Sequence, residues 1–268
     1  MPTVANLYYE IQGSGPMLLL GQSGEGDAHR TADLASLLST THTVITYDRR
    51  GLSRSAPVDP GRPPTLTDHA DHADDASRLL DALTDKPVAM LGCSLGASIG
   101  LHLAVRHPGK LHTLIAHEPV SPWLLPPAEQ ASHERELLDI QRLYLDRGLT
   151  EAMREVARVL GIDPTRQPTE PGLTPHPMTP QRIANFDTFL RHDLAAIATA
   201  TLQPADLPTC GTRIIPALGT TTPPAVFDHL CAHRLAEFLS TPPVPFPGGH
   251  NGNTTHPHGY AESLRNIL

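Results

Sequence analysis

Residues 86–106 read KPVAMLGCSLGASIGLHLAVR. The run 86–91 is short, apolar and solid, as a strand buried on both faces is. It leads directly into Gly92, Cys93, Ser94, Leu95 and Gly96, and then into 94–105, small and apolar on nearly every side, as a helix packed inside a fold is. A GxSxG sequence between strand and helix predicts a tight turn with the serine at its apex. Such a turn imposes strained backbone angles, and the flanking glycines let strand and helix approach without Cβ clashes. Amides of a first helical turn lack intrahelical partners, so the Leu95 N–H is available to a developing negative charge. Cys93, one residue earlier, points into the fold and reads as a small buried hydrophobe.

Working outward, the same alternation repeats. Residues 4–11 alternate as a half-exposed strand, 17–20 form a second solid apolar run, and the glycine-rich loop GQSGEG closes it at 21–26. A helical pattern over 27–38 places Leu34, Leu37 and Leu38 on one side, and 43–47 is a β-branched run before the loop DRRGLSRSAP. Residues 67–83 have apolar positions at three-and-four spacing, and 111–116 is the next strand. From 119 to about 208 the alternation stops, and helical patterns at 129–147, 150–160 and 180–200 follow one another without a strand. Strand 213–218, helix 225–239, strand 244–246 and helix 257–268 resume it. The pattern predicts an α/β fold with a mostly parallel central sheet flanked by helices. Its core comes in two pieces, 1–118 and 209–268, around a helical cap inserted at 119–208.

Composition narrows the partners. The chain has 268 residues, 20 Lys and Arg against 28 Asp and Glu, and a formal charge of −8. That balance disfavours tracking along nucleic acid or an anionic membrane. Three cysteines, Cys93, Cys210 and Cys231, lie far apart and form neither a disulfide framework nor a CxxC metal pair. With no basic-then-apolar leader and no run near the length of a membrane span, a cytoplasmic protein is expected. Oligomeric state is left open.

Beyond GCSLG, the opening LYYEIQGSGPMLLL, the segment YDRRGLSRS, HEP at 117–119 and PGGH at 247–250 stand in an order and spacing that resemble the α/β-hydrolase superfamily over nearly the whole chain. The resemblance is strongest to small hydrolase-like proteins common in actinobacteria, many of them used in natural-product pathways. It implies Ser94 as nucleophile and His250, in GGHNG, as general base, with His256 a second choice that looks more like the start of the final helix. The family usually places its acid in the loop after the penultimate strand, but that loop, 219–224, reads GTTTPP. Asp228, the nearest carboxylate, falls on the following helix, where a solvated or capping role is expected. Glu118 sits where a second family solution has its acid, and reads either as that acid or as a tie for the cap loop. Leu95, with Gly24 or Ser23, would form the oxyanion hole through backbone N–H groups.

The implied activity is hydrolysis of an ester, thioester or lactone of a small molecule, with no cofactor and no metal. Two alternatives use the same pocket: an elimination, cyclisation or rearrangement, and a small-molecule receptor without catalysis. Trp123, Leu124, Leu125, Phe186 and Phe189 are candidates for the pocket's apolar wall, or equally for cap core. LTDHADHADDASRLL, at 66–80, invites a metal reading through His69, His72 and the interleaved Asp68, Asp71, Asp74 and Asp75. A solvated helical face is the expectation there. Arg49, Arg50 and Arg54 are read as pairing locally within a structural loop.

Overall fold

The alternation becomes one eight-stranded sheet in this computed structural model, which describes residues 3–55, 69–163 and 167–268. The strands are β1 (Thr3–Val4), β2 (Leu7–Gln12), β3 (Met17–Gly21), β4 (Thr43–Tyr47), β5 (Val88–Cys93), β6 (Leu111–His117), β7 (Arg213–Gly219) and β8 (Val244–Phe246). Their spatial order is β1-β2-β4-β3-β5-β6-β7-β8. β2 runs antiparallel to both neighbours, and the strands from β4 to β8 are parallel.

Two apolar layers sandwich the sheet. On one face, α1 (Ala32–Leu38) and α10 (Pro257–Ile267) bury Leu34, Leu38, Tyr260 and Leu264 against Leu18, Leu20, Leu91 and Ile115. On the other, α2 (His69–Leu83), α3 (Leu95–Arg106) and α8 (Phe227–Phe238) cover Leu19, Ile45, Met90 and Leu114. Strand residues alternate between the two layers, so β3 and β5 are apolar throughout. Each fully buried Leu or Ile contributes about 1.5–3 kcal/mol. Among the described residues no helix is long and apolar enough to cross a membrane.

The stretch read as one strand over 4–11 is divided. Ala5 and Asn6 both have positive φ, 50° and 65°, and form the two-residue turn that joins β1 to β2 as a hairpin. The helix expected from 27 begins with a 3₁₀ turn, Ala28–Thr31, which Asp27 caps by accepting from the His29 N–H at 3.0 Å. Between β6 and β7 lie α4 (Pro127–Arg147), α5 (Leu149–Val159), α6 (Pro180–Thr188) and α7 (Leu194–Thr199). The helix expected over 180–200 is continuous from α6 to α7, with a π-helical turn at Phe189–Asp193 between them. A short α9 (Gly252–Thr255) precedes α10.

The expectation of a solvated acidic face on α2 is corrected. His72 and Asp75 are buried, because arginines from the 48–55 loop reach them. Arg50 donates to Asp75 Oδ2 at 2.7 Å, and Arg49 Nη1 lies 3.3 Å from His72 Nε2. Asp71 and Asp74 are half-buried or better, Asp74 with His107 at 2.7 Å, while Asp68 and the His69 side chain lie outside the described residues. Arg54 does pair locally, with Asp48 at 2.7 Å. Arg49 instead spans 144 residues to Asp193 on the π-turn, Nη2 to Oδ2 at 2.8 Å, with each side chain 1% exposed.

Candidate active site

Ser94 stands at the C-terminal end of β5, where the backbone takes φ 57° and ψ −122°. A residue with a Cβ rarely adopts this conformation, and packing holds it there. A Cβ on Gly92 would come within 2.7 Å of the Ala97 Cα, and one on Gly96 within 2.7 Å of the Gln22 carbonyl oxygen. Helix α3 therefore leaves the strand at a closeness only glycine permits. The Ser94 N–H donates to the His117 carbonyl at 3.0 Å, tying the turn to the end of β6. Cys93 is fully buried on the opposite side, and burial pushes its thiol up.

The next residue along β6 is Glu118, completely buried, with positive φ of 42°. Its N–H donates to Ala217 and its Oε1 accepts from the Gly219 N–H at 2.9 Å, so both ends are pinned to β7. Oε2 lies 3.0 Å from His250 Nδ1. Glu118 therefore contacts the His250 ring, and the backbone it ties belongs to β7 and not to the cap loop. Loop 219–224 supplies no carboxylate, as its sequence requires.

Asp228 departs from expectation. It is fully buried in the first turn of α8, and Oδ2 contacts the same His250 Nδ1, off the line of an aligned hydrogen bond. The reason is the placement of α8, which lays Phe227, Asp228, Cys231 and Ala232 inward against the sheet. A solvated or capping role is therefore wrong for Asp228. The signal for it was faint: a first turn reading FDHLCA mixes apolar and ionisable residues, which periodicity alone does not order.

One imidazole thus faces two carboxylates. Burial alone would lower the His250 pKa, but the charge and close contact of Asp228, then the hydrogen bond and charge of Glu118, outweigh it and raise it to about 10. Burial alone would raise the Glu118 carboxyl, yet His229 with Nδ1 3.6 Å away, the hydrogen-bonded His250 and the nearby His117 hold it well below the usual carboxylate range. For Asp228 burial prevails over His250, and its pKa is raised. His117, between Phe246 and Tyr260, is lowered by burial to about 4 and is neutral. His250 Nε2 is buried and has no hydrogen-bond partner.

Ser94 and His250 line one cavity of about 400 Å³, within the range of small-molecule sites. Ser23 and Gly24 of the loop after β3 line it as well, and Phe186 and Phe189 form part of its wall. A smaller apolar compartment of about 20 Å³ adjoins Ser94 on the side of Leu137, Ile140 and Leu194. Trp123 and Leu124, read as wall candidates, do not line either space. They are buried in the apolar layer, Trp123 edge-on to His102 with ring centroids 6.3 Å apart. Leu95 lines the small compartment, and His256 caps α10, its Nδ1 2.9 Å from Thr255 Oγ1.

Glu118, Asp228 and His250 also bring one donor atom each within 4.8 Å, the spacing of a metal site. Glu118 is already engaged with His250 Nδ1 and with the Gly219 N–H, so the cluster has the chemistry of a buried acid–base group.

Comparison with known proteins identifies the family and the fold. The α/β hydrolase fold family matches residues 16–164. The uncharacterized hydrolase YraK of Bacillus subtilis (strain 168) is 35% identical over 271 residues, 98% of this chain and 93% of its own. Among solved structures, an esterase from Exiguobacterium antarcticum superposes with a TM-score of 0.73 at 18% identity, covering 97% of this chain and 94% of its own. A structure from work on carboxylesterases of the thaumarchaeon Nitrososphaera gargenis gives 0.71 at 19%, covering 100% and 97%. At such identities these two speak for the fold. Together with the site built at the ends of β5 and β6, the family match and the full-length relative establish that the chain belongs to the α/β-hydrolase fold family.

Proposed function

We propose that this protein is a serine hydrolase that cleaves an ester, thioester or lactone of a small molecule. Ser94 Oγ attacks the acyl carbon while its proton passes to His250 Nε2. The Leu95 N–H, with that of Gly24 or Ser23, steadies the oxyanion. Collapse of the tetrahedral adduct breaks the bond to the leaving group, which takes the proton from Nε2, and an acyl-Ser94 remains. Water, deprotonated by His250 in turn, releases the acid and restores Ser94. Glu118 orients the ring through Nδ1–H and stabilises the imidazolium, and Asp228 adds a second carboxylate that raises its basicity. The helices of 119–208 act as the cap over the pocket.

The observation that carries this reading is the convergence of Glu118 on His250 Nδ1, 3.0 Å away, with His250 and Ser94 lining one cavity; Nε2 has no hydrogen bond, to Ser94 included, so the proton transfer needs that contact to close when substrate binds. The acid missing after β7 had favoured non-hydrolytic chemistry, and in this assignment Glu118 fills that role from β6. The test is to incubate wild type, Ser94→Ala, Cys93→Ala and His250→Ala with a fluorophosphonate and measure intact mass. Stoichiometric labelling is expected in wild type and Cys93→Ala and is lost in the other two. A wild type that takes no label while binding or turning over a ligand would replace the hydrolase by a proton-transfer enzyme or a receptor.

A further inference from the structure

The 400 Å³ cavity is apolar over most of its wall: Met153, Val156, Leu160, Phe186 and Phe189 are among its residues. At one side, however, it meets three charged groups that the proposed chemistry does not use. Glu25 follows Gly24 in the glycine-rich loop, Arg30 lies in the 3₁₀ turn after it, and Arg182 comes from the first turn of α6. All three line the cavity. Arg182 Nη2 lies 2.8 Å and Nε 3.2 Å from Glu25 Oε1, and Arg30 Nε reaches the same oxygen at 3.3 Å. Arg182 Nη1 donates to the His176 carbonyl at 2.5 Å. Two guanidiniums therefore share one carboxylate, in a chain whose overall charge is −8.

The three side chains are 21%, 21% and 13% exposed, for Arg30, Arg182 and Glu25. Cations held this far from water at the edge of an apolar pocket call for more negative charge than Glu25 provides. Burial lowers the Arg30 pKa, and among its neighbours Glu25 raises it, Arg182 lowers it and Asp27 raises it. Asp27 keeps its charge, while its oxygens accept from the His29 N–H and the Ser53 hydroxyl, at 3.0 and 2.7 Å. The formal charges at this edge therefore balance, and what the two guanidiniums offer a ligand is N–H donors that one Glu25 oxygen does not fill. A monoanionic carboxylate disturbs that balance less than a phosphate dianion, and guanidinium groups suit carboxylates through paired N–H donors.

We propose that Arg30 and Arg182 form an anion subsite of the pocket, and that the substrate is an ester or lactone carrying a free carboxylate. The inference rests on the hydrolase reading, with the scissile carbonyl at Ser94 and the carboxylate at the arginine side of the same cavity. Glu25 is the internal counter-ion that the substrate carboxylate partly displaces. Selectivity then comes from the cost of leaving a desolvated guanidinium underpaired when a neutral ester binds.

Two experiments separate the subsite from the hydrolase reading. In Ser94→Ala, which holds an ester uncleaved, calorimetry compares monoethyl glutarate with ethyl butyrate, and 4-acetoxybutyrate with butyl acetate. In at least one pair the carboxylate binds tighter by about tenfold to a hundredfold, the range of a charge-assisted hydrogen-bonded contact. Arg182→Gln lowers that preference, Arg182→Lys restores part of it, and Glu25→Gln increases it by freeing both guanidiniums. An ion-pair cluster that served only to hold α6 against the loop would show no carboxylate preference, and Glu25→Gln would simply lose thermal stability. In wild type, kcat/KM for the same esters is measured. Equal binding and equal kcat/KM within both pairs would overturn the subsite and spare the hydrolase. A carboxylate preference in binding with no turnover of any ester would overturn the hydrolase and spare the subsite.

Discussion

Replacing Arg49 by Met tests what holds the 119–208 helices to the sheet. The guanidinium donates to Asp193 on the π-turn and to the Gly24 carbonyl, and lies beside His72 Nε2, itself 3.5 Å from Asp193 Oδ1. Both partners are 1% exposed. Burial alone would raise the Asp193 carboxyl, but the Arg49 charge and then His72 keep it below the usual carboxylate value. Removing one partner of a buried pair leaves an uncompensated charge and costs about 3–5 kcal/mol. For a chain somewhat above 250 residues, at about 2–4 °C per kcal/mol, the apparent Tm falls by about 6–20 °C at pH 7. Circular dichroism melts at several pH values give the signature. A depressed carboxylate stabilises wild type above its unfolded pKa and loses that contribution as pH falls through the folded one. Arg49→Met lacks this contribution, so the gap between variant and wild type narrows on acidification. The double variant Arg49→Met, Asp193→Leu removes both charges and recovers at least half of the loss. It stays below wild type by the roughly 1–3 kcal/mol of a Gly24 carbonyl without its donor. A single variant within about 2 °C of wild type, or a double variant no better than the single, would refute the reasoning.

Four further outcomes follow from the site. The base form of His250 exists only above its raised pKa, so kcat/KM climbs with pH from neutral toward about 10, and Asp228→Asn moves that limb down in pH. The same shift means that the stability from this group is full below the unfolded histidine value and is lost as pH rises through about 10, so Asp228→Asn destabilises more at pH 6 than at pH 10. Glu118→Gln keeps the acceptor for the Gly219 N–H but removes the charge, and lowers kcat by about 10³-fold or more; a larger loss in Asp228→Asn would transfer the acid role to that residue. Gly96→Ala drives a methyl into the backbone carbonyls of Gly21 and Gln22, which cannot yield as a side chain would, and costs about 1–3 kcal/mol or more in thermal melts.

Legibility from sequence followed the physics of each feature. The strands and the elbow were plain at 86–106 because burial on both faces leaves solid apolar runs and close approach leaves glycines. Ser94, Glu118 and His250 were singled out because the family resemblance points to positions that end or follow a strand, and the structure puts each of the three at such a position. Asp228, Arg30 and Arg182 could not be placed this way, since each gains its role from a helix docking whose rotation the local pattern does not set. The arginines of the 48–55 loop and the acidic stretch of α2 were each read as self-contained, yet much of their pairing is with each other or with Asp193, across separations no local rule describes. The helix over 180–200 was legible, but its π-helical turn at Phe189–Asp193 was not, because such a turn carries no distinctive composition.

The long connection from β6 to β7 has one more implication. Parallel neighbours need a crossover in any case, and the cost of closing a chain loop grows only with the logarithm of its length. The excursion through α4 to α7 elaborates a link the sheet already requires, while Ser94, Glu118, Asp228 and His250 are carried by β5, β6 and the segments after β7 and β8. Insertions, deletions and recombination within 119–208 can therefore redraw the wall that Met153, Phe186 and Phe189 give the pocket while the groups proposed to react keep their foundations, so that under the proposed function what is bound and how it is cleaved are separately heritable.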